Sequence, residues 1–340
     1  MPRIDQFAAL DPYRDKLARL GYTTVEQFVG AANGAALALA NYLGVPDLTG
    51  LLATLPSPAA DPALAALSCQ LSSALAPPTR PLALTKFEAA LAPPAVDHVN
   101  LIPPGGNGAW PVLNQGTRET CVAFAAAACL EAYLREQTHA AAPPMSEQFL
   151  YWDCKRRDGA PNSPNTWLSV AFDVLQYDGC APATAWGYVE TPVTGNESQD
   201  PPPGGAAAIL AIAARCRISG GQPLATNTPD QIKAALAGRR AVAINVAAYA
   251  SWNNQLSATR RTGEILLPVP GEQSTEDHAL CVVGYRDDAT APGGGRFIVR
   301  NSWSTTWGNA CPYGPGYGTM PYGYPLKQAY VIAAANPAVA

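Results

Sequence analysis

Apolar positions change their spacing along this chain. In PYRDKLARLG and VEQFVGAANGAALALANYLG they recur every three or four residues, as on helices with one buried face. Asp11 ahead of Pro12 supplies a cap and a preset first helical residue, and Gly21 ends that helix. Thr24 and Gln27 predict a capping box for the second run, which divides near Asn33–Gly34 and stops at Gly44 and Pro46. DLTGLLATL predicts one further turn or two, and Asp61–Pro62 repeats the cap chemistry before ALAALSCQLSSAL. A strong helix pattern then covers 121–138, in CVAFAAAACLEAYLREQT. The late runs RRAVAINVAA, HALCVVGYR and RFIVRNSW are short, apolar and β-branched, so they predict strands. Helices first and strands later predict an α+β domain in two lobes.

Residues 76–112 break this pattern. APPTRPL, APPA and PPGGNGAWP cannot hold long helices, so they mark a boundary with TKFEAAL as a short helix inside it. The division this suggests is a small all-helical domain over 1–75, a linker over 76–92 and a larger domain over 93–340. A hydrophobic fraction of 48% permits a sizeable core, and a net charge of -4 with 14% charged residues points to neither nucleic acid nor an anionic membrane surface. KLARLGYTTVEQFVGAANGAALALANYLGV resembles a helix-hairpin-helix, SAM-like module. Such modules often touch DNA, but six Lys/Arg against seven Asp/Glu in residues 1–90 build no basic surface. Packing or inhibition is the better expectation there. No export signal opens the chain and no run of 18 apolar residues spans a membrane, so the default is a cytoplasmic protein with reduced thiols, or one exported by a non-classical route. The eight cysteines form no C-x-x-C pair, and no metal or organic cofactor is expected.

One junction carries chemistry. In NQGTRETCVAF, Cys121 stands at the predicted start of the 121–138 helix, where the helix dipole favours a thiolate. A nucleophilic thiol needs a base. The chain has three histidines. His98 lies in the proline-rich junction, and His139 stands at the far end of the same helix, about 27 Å away at 1.5 Å per residue. His278, opening the strand HALCVVGY, remains. Asn301 in IVRNSWSTTWG can accept the imidazole N–H and fix its tautomer, with Trp303 covering that bond. The Cys121 backbone N–H and the Gln115 side-chain amide are the candidate oxyanion donors.

Four blocks then resemble the signature segments of papain-like cysteine peptidases, in that family's order: NQGTRETCVAFAAAACLEA, MSEQFLYWDC, DHALCVVGY and RFIVRNSWSTTWGNA…GYGTMPY. PPAVDHVN resembles the start of the mature enzyme, and the likeness covers about residues 93–335. It implies a helical L lobe and a β-barrel R lobe with a cleft between them. It also implies Cys121 as nucleophile, His278 as base, Asn301 as its orienter and Gln115 in the oxyanion hole. The closing PYGYPLKQAYVI resembles bacterial branches. The same resemblance places Glu119, Asn245, Glu276, Ala279, Trp303 and Trp307 near substrate, with Asn245 and Glu276 at the S2 wall.

The departures bear on specificity. Arg118 stands where relatives keep a disulfide cysteine, Glu119 replaces a substrate-side glycine, Val122 a tryptophan and Ser304 a glycine. The GCNGG block is replaced by DGAPNSPNTW, and Cys154 with Cys180 are either a pair or two thiols. The implied function is a cysteine endopeptidase acting on peptide or protein substrates and made as a zymogen. Its own N-terminal region is the expected intramolecular inhibitor, with PTRPLALTKF in the cleft. The alternatives are a papain-fold transpeptidase or isopeptidase with a specific protein partner, a non-catalytic binding module, and a helix-hairpin-helix adaptor carrying a peptidase.

Overall fold

The computed structural model describes residues 2–56, 99–105, 108–191, 200–254 and 256–333. The helix expected after Asp61–Pro62, the linker over 76–92, His98 and Cys69 lie outside the described residues.

The 121–138 pattern forms one helix, preceded among the described residues by three N-terminal α-helices. These are α1 (Arg14–Arg19), α2 (Val25–Leu43) and α3 (Thr49–Ala53), followed by a two-residue strand β1 (Val99–Asn100) and then α4 (Cys121–Thr138). Every residue of α4 from Cys121 to Ala132 is buried, and half of that stretch is alanine. A helix apolar on all sides belongs inside a core, and small side chains let its backbone approach its neighbours. Two helices pack on it, α5 (Glu147–Arg157) and α6 (Leu168–Tyr177), followed by α7 (Ala206–Ala213).

The strand-like runs form an antiparallel sheet on the other side of α4. Its members are β2 (Gly221–Pro223), β3 (Val242–Ala248), β4 (Glu276–Asp287), β5 (Gly295–Arg300), β6 (Tyr317–Pro321) and β7 (Leu326–Ile332), in the order β2-β7-β3-β4-β5-β6, with β1 added to β4. Two short helices fill the connections, α8 (Asp230–Ala237) before β3 and α9 (Ala258–Thr262) before β4. Central strand β3 is buried at all seven positions because its neighbours cover both edges and helices cover its face. Gly263, just after α9, sits at φ +70°, and a Cβ there would lie 2.3 Å from the Tyr317 carbonyl oxygen, so only glycine fits this approach to β6.

The N-terminal helices have a separate small core of Leu10, Leu17, Phe28, Leu39 and Leu43, sealed against Val269 of the sheet lobe. The capping box forms as expected: Thr24 Oγ1 accepts from Gln27 N–H at 3.3 Å, and Gln27 Oε1 accepts from Thr24 N–H at 3.0 Å. The division expected near Asn33–Gly34 falls at Ala35, whose non-helical backbone (φ -143°, ψ 44°) kinks α2 into two helical pieces. Polar bonds anchor this module to the β3–β4 connection. Arg261 pairs with Glu26 at 2.7 Å, Gln27 donates to Glu264 at 2.8 Å, and Asn254 donates to the Gly30 carbonyl at 3.0 Å. Among the described residues no helix is long and apolar enough to cross a membrane.

Candidate active site

Cys121 is the first residue of α4 and is buried. Thr120 stands at the cap position without capping, because its hydroxyl is 2.7 Å from the Tyr188 hydroxyl instead. Thr120 therefore leaves the helix end at Cys121 without a side-chain cap.

His278 is the third residue of β4 and is fully buried. Its Nε2 lies 2.8 Å from Asn301 Oδ1, and its Nδ1 has no hydrogen-bond partner. Asn301 follows β5, and its backbone N–H donates to the Gly316 carbonyl at 3.1 Å. Since Asn301 Oδ1 can only accept, the Nε2 position carries the proton and Nδ1 presents its lone pair. The Trp303 ring lies over the imidazole with centroids 4.5 Å apart and 32° between planes. Burial outweighs the Asn301 hydrogen bond and pulls the imidazole pKa down to about 4, so the ring is neutral at pH 7.

Gln115 is joined to the same cluster. Its backbone N–H donates to the Ser302 carbonyl at 2.8 Å, and its Oε1 accepts from Ser302 Oγ at 2.6 Å. Ser302 N–H donates to Asn301 Oδ1 at 2.8 Å. With its oxygen held there, the Gln115 NH2 points to the other side, where it donates to the Arg118 carbonyl at 2.9 Å. A continuous polar chain thus runs from His278 through Asn301, Ser302 and Gln115 to the turn before Cys121.

Arg118 is buried within that turn. Its Nη1 donates to Gln148 Oε1 at 2.7 Å and to the Val189 carbonyl at 2.5 Å. Its Nη2 lies 3.6 Å from Asp200, which also accepts from Gln148 at 2.9 Å. The guanidinium is flanked by the rings of Tyr151 and Tyr188, at 5.4 and 5.2 Å. A non-covalent cross-link to α5, Val189 and Asp200 therefore stands where the resemblance led one to expect a disulfide cysteine. All seven described cysteines are thiols, Cys154 and Cys180 among them.

The remaining sequence candidates divide. Glu119 and Glu276 stand two residues before Cys121 and His278, and each feels the other. Burial first, then the Glu119 and Asp277 charges, push Glu276 up to about 7. Asn245 is fully buried and faces Ala279 across the β3–β4 pair. Trp307 lies behind Trp303, with centroids 5.9 Å apart, and donates to the Trp252 carbonyl at 3.2 Å. It supports the shield without reaching the imidazole. His139 caps the far end of α4. Sequence reasoning missed Trp252, edge-on to His278 at 6.3 Å, because YASWNN carries no motif. It also missed Ser302, whose hydroxyl bonds across a sequence gap of 187 residues to Gln115.

A family model described as papain family cysteine protease matches residues 92–322. Over 95 residues the chain is 32% identical to an uncharacterised peptidase C1-like protein of Acanthamoeba polyphaga mimivirus, a match covering 28% of this chain and 27% of that protein. The chain thus spans about a quarter of the length of that curated relative. Among solved structures it is similar to xylellain, a cysteine protease from Xylella fastidiosa, with 23% identity, a TM-score of 0.61, and coverage of 78% of this chain and 96% of that one. It is also similar to the digestive procathepsin L 3 of Tenebrio molitor larval midgut, with 20% identity, a TM-score of 0.52, and coverage of 71% of each chain. The two-lobed papain-like fold expected from the sequence, with helices before it, is the fold found.

Proposed function

The chain belongs to the papain family of cysteine proteases, and we propose that it hydrolyses peptide bonds through Cys121, His278 and Asn301. The observation that carries this reading is the buried 2.8 Å contact between His278 Nε2 and Asn301 Oδ1, with Nδ1 left unpartnered under the Trp303 ring. Asn301 holds the tautomer that makes Nδ1 the base. Nδ1 takes the Cys121 proton as sulfur attacks the scissile carbonyl, and the helix end favours the developing thiolate. Charge on the carbonyl oxygen is met by the Cys121 backbone N–H and the Gln115 amide. The imidazolium gives its proton to the leaving amine, and a thioester to Cys121 remains. Water, deprotonated by the same imidazole, then releases the acid and restores the thiol.

The N-terminal module is assigned a regulatory role. Its α2 packs on the Ala250–Trp252 turn and on α9, and the turn carries Trp252, one of the rings around His278. Proform structures such as the Tenebrio molitor procathepsin are among the similar folds. Residues 1–75 are read as that module and 76–92 as the segment cut on activation. Purified wild type is expected to trim itself near residues 80–95, while Cys121→Ala accumulates intact. A wild type that stays full length and fully active would overturn the inhibitory role.

A further inference from the structure

The N-terminal module shares a core with the sheet lobe. Val269, Leu266 and Leu267 of the β3–β4 connection pack with its leucines, and Val269 is buried. Leu267 N–H donates to the Leu20 carbonyl at 3.3 Å, so backbone bonds cross the boundary as well. Gly30 and Gly34, four residues apart on α2, meet the Ala250–Trp252 turn and the residues after it. A Cβ on Gly30 would lie 3.0 Å from Ser257 Cα and 3.2 Å from the Leu256 carbonyl oxygen, and one on Gly34 would lie 3.1 Å from Ala250 Cβ. The cavity left at this contact is about 10 Å³, the lower limit for a single water. Helix backbone seated on turn backbone with no room for solvent is packed like an interior.

Polar groups are committed across the same boundary. Arg261 donates to both oxygens of Glu26, at 3.2 and 2.7 Å. Gln27 donates to one Glu264 oxygen at 2.8 Å, and Arg296 of β5 meets the other at 2.9 Å. Asn254 carries the contact toward the active site. Its Nδ2 donates to the Gly30 carbonyl at 3.0 Å and to the Ala250 carbonyl at 3.1 Å, while its Oδ1 accepts from Leu256 N–H at 3.0 Å. The turn fixed in this way bears Trp252, which is 1% exposed. The Trp252 ring packs edge-on to His278 and to Trp303, each at 6.3 Å, and its carbonyl accepts from Trp307 Nε1 at 3.2 Å. A line of contacts therefore runs from Gly30 through Asn254 and Trp252 to the imidazole.

We propose that the N-terminal module is a permanent part of the active enzyme: it stays docked after the chain is cut near residues 80–95, and its hold on the Ala250–Trp252 turn keeps Trp252 against His278. The proposal rests on the peptidase reading above, and it leaves the inhibitory role to residues 76–92. Cutting removes the covalent tether, so docking then depends on the contacts alone. Loss of the module would uncover Val269, take Glu26 from Arg261 and Gln27 from Glu264, and release the turn that backs the imidazole. Trp252 is buried, so it acts through His278 and not on substrate. Gly30 and Asn254 are accordingly positioning residues: their contacts set where the Trp252 ring stands, and that ring limits how the imidazole moves.

The test uses the full chain with a recognition sequence for an added protease inserted within residues 80–95, so cutting does not depend on self-trimming. Once a denaturing gel shows the cut to be complete, size exclusion and native mass at micromolar protein read the assembly. The module should co-elute with the larger fragment as a one-to-one complex. The kcat of that complex, counted per Cys121 titrated with an epoxide thiol inhibitor, should be no lower than that of the uncut chain. Gly30→Val drives a side chain into Ser257, and Arg261→Gln removes the Glu26 pairing without adding volume. Each should raise the dissociation constant of the module by about tenfold or more. Where the module leaves, kcat per titrated site should fall with KM little changed. Counting per titrated site cancels a loss of folded protein, and Arg261→Gln carries the test if Gly30→Val does not fold. A wild-type module that separates on cutting overturns the proposal, as does a stripped peptidase that keeps the kcat per titrated site of the complex. In those cases turnover leaves the peptidase reading standing. No turnover, with Cys121 unlabelled, overturns that reading and the positioning role with it, while elution still decides whether the module stays docked.

Discussion

Replacing Arg118 tests whether a buried charge network does the work of a cross-link. The Arg118 and Asp200 side chains are 1% and 2% exposed, so solvent screens neither. Arg118→Ala removes the bonds to Gln148 and Val189 and the contacts with two tyrosine rings, and takes the guanidinium away from the buried Asp200 carboxylate. Removing one partner of a buried pair costs about 3–5 kcal/mol, most of it the cost of the stranded charge. Arg118→Met with Asp200→Leu removes both charges and keeps volume, so it should recover most of that loss. Urea unfolding at pH 7 measures both, and a reducing agent should leave the wild-type midpoint unchanged, since the described cysteines are thiols. The Arg118 carbonyl also anchors the Gln115 amide, so Arg118→Ala should lower kcat as well as stability. A single-variant cost below about 1 kcal/mol, or a double variant as unstable as the sum of the singles, would refute this reasoning.

Two further outcomes follow from the same contacts. Burial first, then the Glu131 charge, push Glu147 up to about 8, so the folded protein keeps a proton that the unfolded chain releases above about 4.5. Stability tied to Glu147 is therefore complete at pH 4 and is lost as pH rises toward 8. Glu147→Gln should raise the unfolding free energy by up to about 3 kcal/mol at pH 7 and hardly at all at pH 4, and equal gains at both would contradict the assignment. Asn301→Ala should lower kcat by roughly 10²-fold or more with a small change in KM, because the imidazole loses its orienter and not its substrate contacts. Steady-state kinetics on one peptide separate these terms.

The parts legible in the sequence are those set by local rules. The 121–138 helix, the Thr24–Gln27 box and the three apolar strands follow from spacing and cap chemistry, and they appear where expected. His278 and Asn301 were legible as candidates because few residue types can serve as base and orienter, and the fold brings their side chains together. What stayed hidden depends on long-range contact. Arg118 reads only as a residue in the place of a disulfide cysteine until Gln148 and Asp200 close around it. Ser302 reads as part of NSW until its hydroxyl meets Gln115, and Trp252 has no signature at all.

The most direct measurement is the site and rate of modification by an epoxide thiol inhibitor. It is followed by intact and peptide mass in wild type, Cys121→Ala and His278→Ala, with peptide hydrolysis read in parallel. Wild type should take up one label on Cys121 and lose hydrolysis in step with it. His278→Ala should label far more slowly, and Cys121→Ala should neither label nor hydrolyse. Hydrolysis that survives full labelling, or that persists in Cys121→Ala, would contradict the account.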